Sequence, residues 1–376
     1  MTRALILALA ACGGAETPPA ATPGSALPDA APAAIAIDAS DTGTFPVDGA
    51  ITTPAAPEVW LRGSTHIHAR PSGDSTTPIP EVVAWYESHG YDFVVLTDHN
   101  QVSEVDPDRD TTGQVAVRNP PAGLIVLAGI ELTHNPSGCV PPGDTSRRCR
   151  IHVNLLGTTA RPGRKVEWAP RSTHDRVAKY QAALDKRKPL GGIAQLNHAQ
   201  WFWGMTPDVL VEIASRGIVL YEIANRAFAK WNKGDKTHPS TEALWDSALT
   251  RGATLWGVAS DDAHDYRGGG KYPAGGNWVV VKARRDPQAI LDSLATGRFY
   301  SSTGVVLDRA EVVGGELVVE VAPSNAAHVI EFIENGKRVA TAKANAARRA
   351  VPTNGYVRAV VTRGDGAQAW IQPARR

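Results

Sequence analysis

Two histidines one residue apart, His66 and His68 in Ser-Thr-His-Ile-His, are the first residues able to do chemistry. On a β-strand, positions i and i+2 face the same way, so both imidazoles can reach one metal ion. A lone His-x-His pair is as often a hydrogen-bonded strand pair. Here further polar residues of the same chemical kind follow. Thr97-Asp98-His99-Asn100 closes the apolar run 91–96, and Glu131 closes the run 124–130. His152 opens Ile-His-Val-Asn-Leu-Leu-Gly, Asn197-His198 ends the run 193–196, and Asp261-Asp262-Ala263-His264 ends the run 255–260. Imidazole and carboxylate donors at the ends of successive apolar runs point to divalent ions, more than one, as cofactors.

The elements that must position these residues alternate. Trp60 to His68 reads as a strand, and Pro80 to His89 as a helix stopped at Gly90. Residues 91–97 then form a strand buried on both faces, completing a β-α-β unit. Further strands are expected over 124–132, 151–156, 192–198, 218–224 and 253–260, with helices over 176–185, 207–215 and 240–250. This count predicts seven parallel strands with most donors at their C-terminal ends, where a β/α barrel keeps its active site. Residues 277–283 form an extra strand, and 287–295 a last helix. From Val305 the pattern turns to period-2 runs, Leu317/Val319/Val321 and Val357/Ala359/Val361. They are joined by turns at Gly314-Gly315, Asn335-Gly336 and Gly364-Asp365-Gly366. The fold class expected is therefore α/β, a barrel over residues 58–303, followed at 304–376 by a small all-β, sandwich-like module.

The chain has 376 residues and a net charge of +1, with lysine and arginine dispersed, which argues against nucleic acid as a partner. Its ten tryptophans outnumber the six phenylalanines. Trp201, Trp203, Trp231, Trp256 and Trp278 fall near strand ends, and packing of core and rim accounts for most of them. At the N-terminus Leu9-Ala10-Ala11-Cys12 follows a short apolar stretch and resembles a bacterial lipobox. This makes residues 1–12 a removable signal, with Cys12 lipidated and the chain anchored outside the cytoplasm, on the outer membrane if the host is Gram-negative. The Ala/Pro-rich stretch 13–57 is a flexible tether. Cys139 and Cys149 then remain as a disulfide pair suited to an oxidising compartment, and their spacing does not match a zinc site.

Taken together, His66-x-His68, Thr97-Asp98-His99, Glu131, His152, His198 and Asp262-x-His264 resemble the motifs of the polymerase-and-histidinol-phosphatase (PHP) superfamily of metallohydrolases. More narrowly, they look like its exported, carbaryl-hydrolase-type branch. The resemblance covers residues 57–303 and implies a distorted (β/α)7 barrel holding two or three ions of Zn, Mn or Fe. By position, His66, His68, Glu131 and Asp262 would hold the first ion. Glu131 would bridge to a second on His152 and His198, and His99, His264 and Asp74 would hold a third. Asp74 has a second possible role, closing an Asx turn in Pro-Ser-Gly-Asp-Ser.

Metal-bound water would be the nucleophile, and a small phosphoester the substrate. Carbamate, amide or ester hydrolysis is the alternative of the same class, and a metal-loaded binding module without turnover the alternative of another. Asp98 and Asp261 adjoin ligands and suit orienting carboxylates. Arg70, His134, Asn225 and Lys271 are candidates to contact substrate, against plain surface or loop polarity.

Overall fold

The computed structural model describes residues 56–103, 123–141 and 147–376. Cys12 and all of the tether up to residue 55 lie outside the described residues. The strands are β1 (Val59–Ile67), β2 (Phe93–Leu96), β3 (Ile125–His134), β4 (Ile151–Thr158), β5 (Gly191–Leu196), β6 (Ile218–Asn225) and β7 (Trp256–Ser260). Next come β8 (Trp278–Ala283), β9 (Phe299–Ser302), β10 (Leu307–Val313), β11 (Glu316–Val321) and β12 (His328–Glu334). The last four are β13 (Lys337–Ala342), β14 (Ala346–Ala350), β15 (Val357–Arg363) and β16 (Gln368–Ala374).

A mixed sheet of thirteen strands runs β13-β12-β15-β16-β9-β8-β1-β2-β3-β4-β5-β6-β7, and β10-β11-β14 form a separate antiparallel sheet. The expectation of seven parallel strands is corrected here. β1, β2 and β3 are mutually parallel, as are β5, β6 and β7, but β4 runs antiparallel to both of its neighbours. The reason lies in the β3–β4 connection. A parallel pair needs a crossover, usually a helix. Here the described part of the connection is a loop, folded back by an antiparallel bridge between Ser137 and Arg148. The disulfide between Cys139 and Cys149 clamps the same loop, with Cα atoms 5.7 Å apart. Reversing β4 brings its first residues beside the last residues of β3 and β5, so that His152 pairs with Thr133.

The helices carry local stop and start signals that match their bounds. Asp175, Thr206, Ser240 and Asp286 each accept a hydrogen bond from the backbone N–H three residues on, capping helices Arg176–Leu184, Pro207–Ser215, Thr241–Thr250 and Pro287–Ala295. The middle two of these pack Leu210, Ile213, Leu244 and Trp245 against the sheet. A second core cluster draws together Leu61, Phe93, Val95, Leu127, Leu156, Leu220, Val258 and Val279, from seven different strands. Gly63 makes room for it, because a Cβ there would lie 2.2 Å from the Phe93 ring.

The C-terminal strands extend this architecture. β12, β13, β15 and β16 join the large sheet through β9, and β11 lays Leu317, Val319 and Val321 against Ile330, Phe332, Val357, Ala359 and Val361. The period-2 residues of β11 are thus the buried ones, whereas β15 is buried on both faces from Val357 to Val361. Arg358, buried on β15, grips Asp246 through Nε and Nη2 at 2.7 Å each. Gln372 exchanges two hydrogen bonds with the backbone of Gly257. Together these tie β15 and β16 to the Thr241–Thr250 helix and to β7.

Candidate metal centre

Nine imidazoles and carboxylates converge at one end of the large sheet. His66 lies on β1 and His68 one residue beyond it, where the His68 N–H donates to Ala263 O at 2.8 Å. His99 follows β2 and pairs with Glu131 of β3. His152 is the second residue of β4, His198 follows β5, and Asp262 and His264 follow β7. Asp74 reaches the group from the loop after His68, which turns at Gly73 with φ 96°. That left-handed conformation is open to glycine at little cost.

Two donors each about 2.1 Å from one tetrahedral ion lie about 3.4 Å apart. His66 Nε2 is 3.5 Å from Glu131 Oε1 and 3.2 Å from Asp262 Oδ1. His68 Nε2 is 3.6 Å from Glu131 Oε2 and 3.1 Å from Asp262 Oδ1. Around Glu131 Oε1, the oxygen that also faces His66, His198 Nε2 lies at 3.5 Å and His152 Nδ1 at 3.0 Å. Asp74 Oδ2 stands 3.0 Å from His99 Nε2 and 3.2 Å from His264 Nε2. The donors thus fall into three overlapping groups able to hold metal ions, with Glu131 common to two and His68 to two. Two donors in the middle, His66 Nε2 and His68 Nε2, are buried and have no hydrogen-bond partner, while Glu131 Oε2 beside them faces His99 Nδ1 at 2.6 Å. Such atoms are costly to bury unless something binds them, and a divalent ion fits this donor set.

The outward nitrogens of the histidines are held by the surroundings, as metal-ligating imidazoles require. His66 Nδ1 donates to Glu222 Oε1 at 2.7 Å, His68 Nδ1 is 3.0 Å from Ser72 Oγ, and His99 Nδ1 lies between Thr133 Oγ1 at 2.7 Å and Glu131 Oε2 at 2.6 Å. His152 Nε2 is 2.8 Å from Asn135 Oδ1, and His264 Nδ1 is 2.8 Å from the Asp262 carbonyl. Each arrangement leaves the other ring nitrogen facing the cluster. Asn197 Nδ2 donates to Glu131 Oε1 at 2.8 Å, fixing the shared carboxylate.

Burial and neighbouring charge divide the histidines electrostatically. Burial, aided by the charges of His264 and His99, pushes His68 down to about 3, and burial pushes His152 down to about 4. These two are neutral at physiological pH and ready to coordinate. Burial opposes the charged form at His66 and His99 as well. There the carboxylates overcome it: Asp262, Glu222 and Glu131 hold His66 well above its usual value, and Glu131 and Asp74 push His99 up to about 10. Glu131 is held well below the usual carboxylate range by His99, His152 and His66, against its burial.

The remaining sequence candidates take other places. The Asp98 carboxylate accepts from Ala69 N at 2.7 Å and from the Ser103 hydroxyl, so it steadies the backbone after His68. Asp261 accepts the backbone N–H groups of Gly275, Gly276 and Asn277, and burial pushes its carboxyl up to about 6. Asn225 is buried, donating to Glu222 at 2.9 Å, and is 3.5 Å from Asp262, so it supports a ligand. His134 packs its ring edge-on to Trp168, 6.0 Å away, and Arg70 and Lys271 are exposed.

Sequence reading missed Glu222, which accepts from His66, from Ser260 Oγ at 2.5 Å and from His198 N at 2.6 Å. A glutamate inside the apolar run of β6 was the available signal. Ser72 was missed too, although its Oγ lies beside His68 Nδ1 and accepts from His99 N.

No family model matches the chain, and no curated protein matches it. Among the described residues no helix is long and apolar enough to cross a membrane. The Cys139–Cys149 disulfide points to an oxidising, extracytoplasmic compartment.

Proposed function

We propose that this chain is a metal-dependent hydrolase of the PHP type, acting on phosphoesters. The observation that carries the reading is the convergence of His66 Nε2 and His68 Nε2, buried and without hydrogen-bond partners, on Glu131, beside Asp262, His152 and His198. His66, His68, Glu131 and Asp262 would hold one ion, Glu131, His152 and His198 a second, and Asp74, His99 and His264 a third, of zinc, manganese or iron. When bound, such ions supply hydroxide at neutral pH and polarise the oxygen of the scissile ester. The protein's part is to orient. Glu222 fixes the His66 tautomer, Ser72, Thr133 and Asn135 hold the rings of His68, His99 and His152, and Asn197 fixes Glu131. Three divalent ions would outweigh Asp74, Glu131 and Asp262 in charge, which favours an anionic substrate.

A closed barrel is supported by the parallel bridge between Ile67 and Ala263 and by the core cluster drawing on seven strands. The lipobox-like sequence at Cys12 supports lipid anchorage in an extracytoplasmic compartment. A second reading, carbamate or carboxyl-ester hydrolysis at a two-ion site, draws on Asp74, whose side chain is 50% exposed and suits a turn residue as well as a ligand.

Purified protein of known metal content, assayed on phosphomonoesters, phosphodiesters and aryl carbamates, tests both readings. Phosphoester turnover lost on chelation and in His66→Ala, and strongly reduced in Asp74→Ala, is the expected result. Carbamate turnover alone, with Asp74→Ala unimpaired, would establish the second reading.

A further inference from the structure

The loops that follow β5, β6 and β7 each bring aromatic rings to the metal-cluster histidines. Trp201 lies edge-on to His152 and His198, with centroids at 5.8 and 5.3 Å. Phe228 is 4.4 Å from His198 and 4.7 Å from Trp201, and 6.1 Å from Tyr272. Tyr272 in turn is 5.4 Å from His264. Phe202 and Trp231 continue the group outward, 5.2 Å apart. Trp201, Phe202, Trp231 and Tyr272 all keep part of their surface in solvent, so the group is a wall and not a core.

The backbone is bent to place it. Eight described residues other than glycine have positive φ, and Phe202, Trp203 and Tyr272 are three of them, at 52°, 64° and 60°. Bulky side chains adopt this region only at a cost, and such strain persists where the surroundings over-determine it. His198 and Asp262, at 24° and 53°, share the feature. Wall and ligands are thus set by the same strained turns. Trp201, read from the sequence as core or rim packing, thus stands partly exposed beside the buried polar cluster.

We infer that the substrate carries a planar aromatic group next to its hydrolysed ester, and that Trp201 and Tyr272, backed by the buried Phe228, hold this group by stacking and edge contacts. The inference rests on the phosphoesterase reading and narrows it to aryl-bearing phosphoesters.

Benzyl phosphate and propyl phosphate test it, because their leaving alcohols are similar in acidity and differ in the ring. The metal-loaded protein is expected to favour benzyl phosphate by roughly tenfold in kcat/KM, mainly through KM. In Trp201→Ala the ratio should fall to within about twofold of one. Trp231→Ala, a site in contact with none of the nine donors, should lower it less, and metal analysis of both variants excludes loss of ions as the cause. A wild-type ratio near one, or a ratio unchanged in Trp201→Ala, would overturn the inference and leave the phosphoesterase reading standing. If neither ester is turned over, that reading fails instead, and quenching of tryptophan fluorescence by benzylphosphonate and propylphosphonate decides the wall separately. Roughly tenfold tighter binding of benzylphosphonate supports the wall, and equal binding refutes it.

Discussion

Replacing Glu222 by glutamine tests whether the metal centre depends on a residue that touches none of the proposed ions. Its Oε1 accepts from His66 Nδ1 at 2.7 Å, Ser260 Oγ at 2.5 Å and Gln195 Nε2 at 3.3 Å. Its Oε2 accepts from His198 N at 2.6 Å and Asn225 Nδ2 at 2.9 Å. The carboxylate receives only donors. An amide would therefore set its NH2 against either the His66 N–H or the backbone N–H of His198. Flipping Asn225 gives no relief, since its Oδ1 already accepts from Ala227 N at 3.0 Å. Leaving one buried donor unpaired costs about 1–3 kcal/mol, and loss of such an outer partner costs about 10–100-fold in metal affinity. That affinity loss equals about 1.4–2.7 kcal/mol. It should fall on the ions held through His66 and His198 and spare the one on Asp74, His99 and His264, which serves as an internal control. Competitive titration with a chromophoric chelator, with elemental analysis at each step, reads the three affinities. Uniform weakening of every ion, or no weakening, would refute the argument.

Metal uptake should release protons. In the metal-free protein His99 is pushed up to about 10, so its charged form adds stability that is complete below about pH 6.5 and is lost as pH rises towards 10. An ion on His99 must displace that proton, and affinity should rise with pH; a calorimetric binding enthalpy independent of buffer would contradict this. Breaking the disulfide by Cys149→Ser should lower unfolding stability by about 2–3 kcal/mol in the chain-entropy model for a sequence separation of 10. An unchanged denaturation midpoint would show that the clamp does not constrain the unfolded chain. Cys12→Ala should move the protein out of the membrane fraction, and wild-type protein found in the soluble cytosolic fraction would defeat lipid anchorage.

The donors were legible because metal coordination needs few residue types, and sheet folding places them at the ends of apolar runs. His66, His68, His99, Glu131, His198 and Asp262 each interrupt or end such a run, so their chemistry stands out against the Val/Leu/Ile background. Glu222 was harder to recognise. It too interrupts an apolar strand, but its partners Ser260, Gln195 and the His198 N–H come from other strands, and no local spacing records them. The joining of β16 to β9 is hidden for the same reason, since Ala369 and Ser302 pair across more than sixty residues.

The direction of β4 is an instructive intermediate case. Helix and strand periodicities carry no information on strand direction, so seven apolar runs read naturally as seven parallel strands. Yet His152 stood at the opening of its run, whereas His198, Glu131 and Asp262 ended theirs or followed them. If all the donors are to meet at one end of a sheet, a donor at the start of a strand requires that strand to run the other way. The antiparallel registers of β4 with β3 and β5, and the hydrogen bond from Asn197 N to His152 O at 3.2 Å, are that requirement met. The position of one functional residue within its strand thus constrains topology more sharply than the hydrophobic pattern around it.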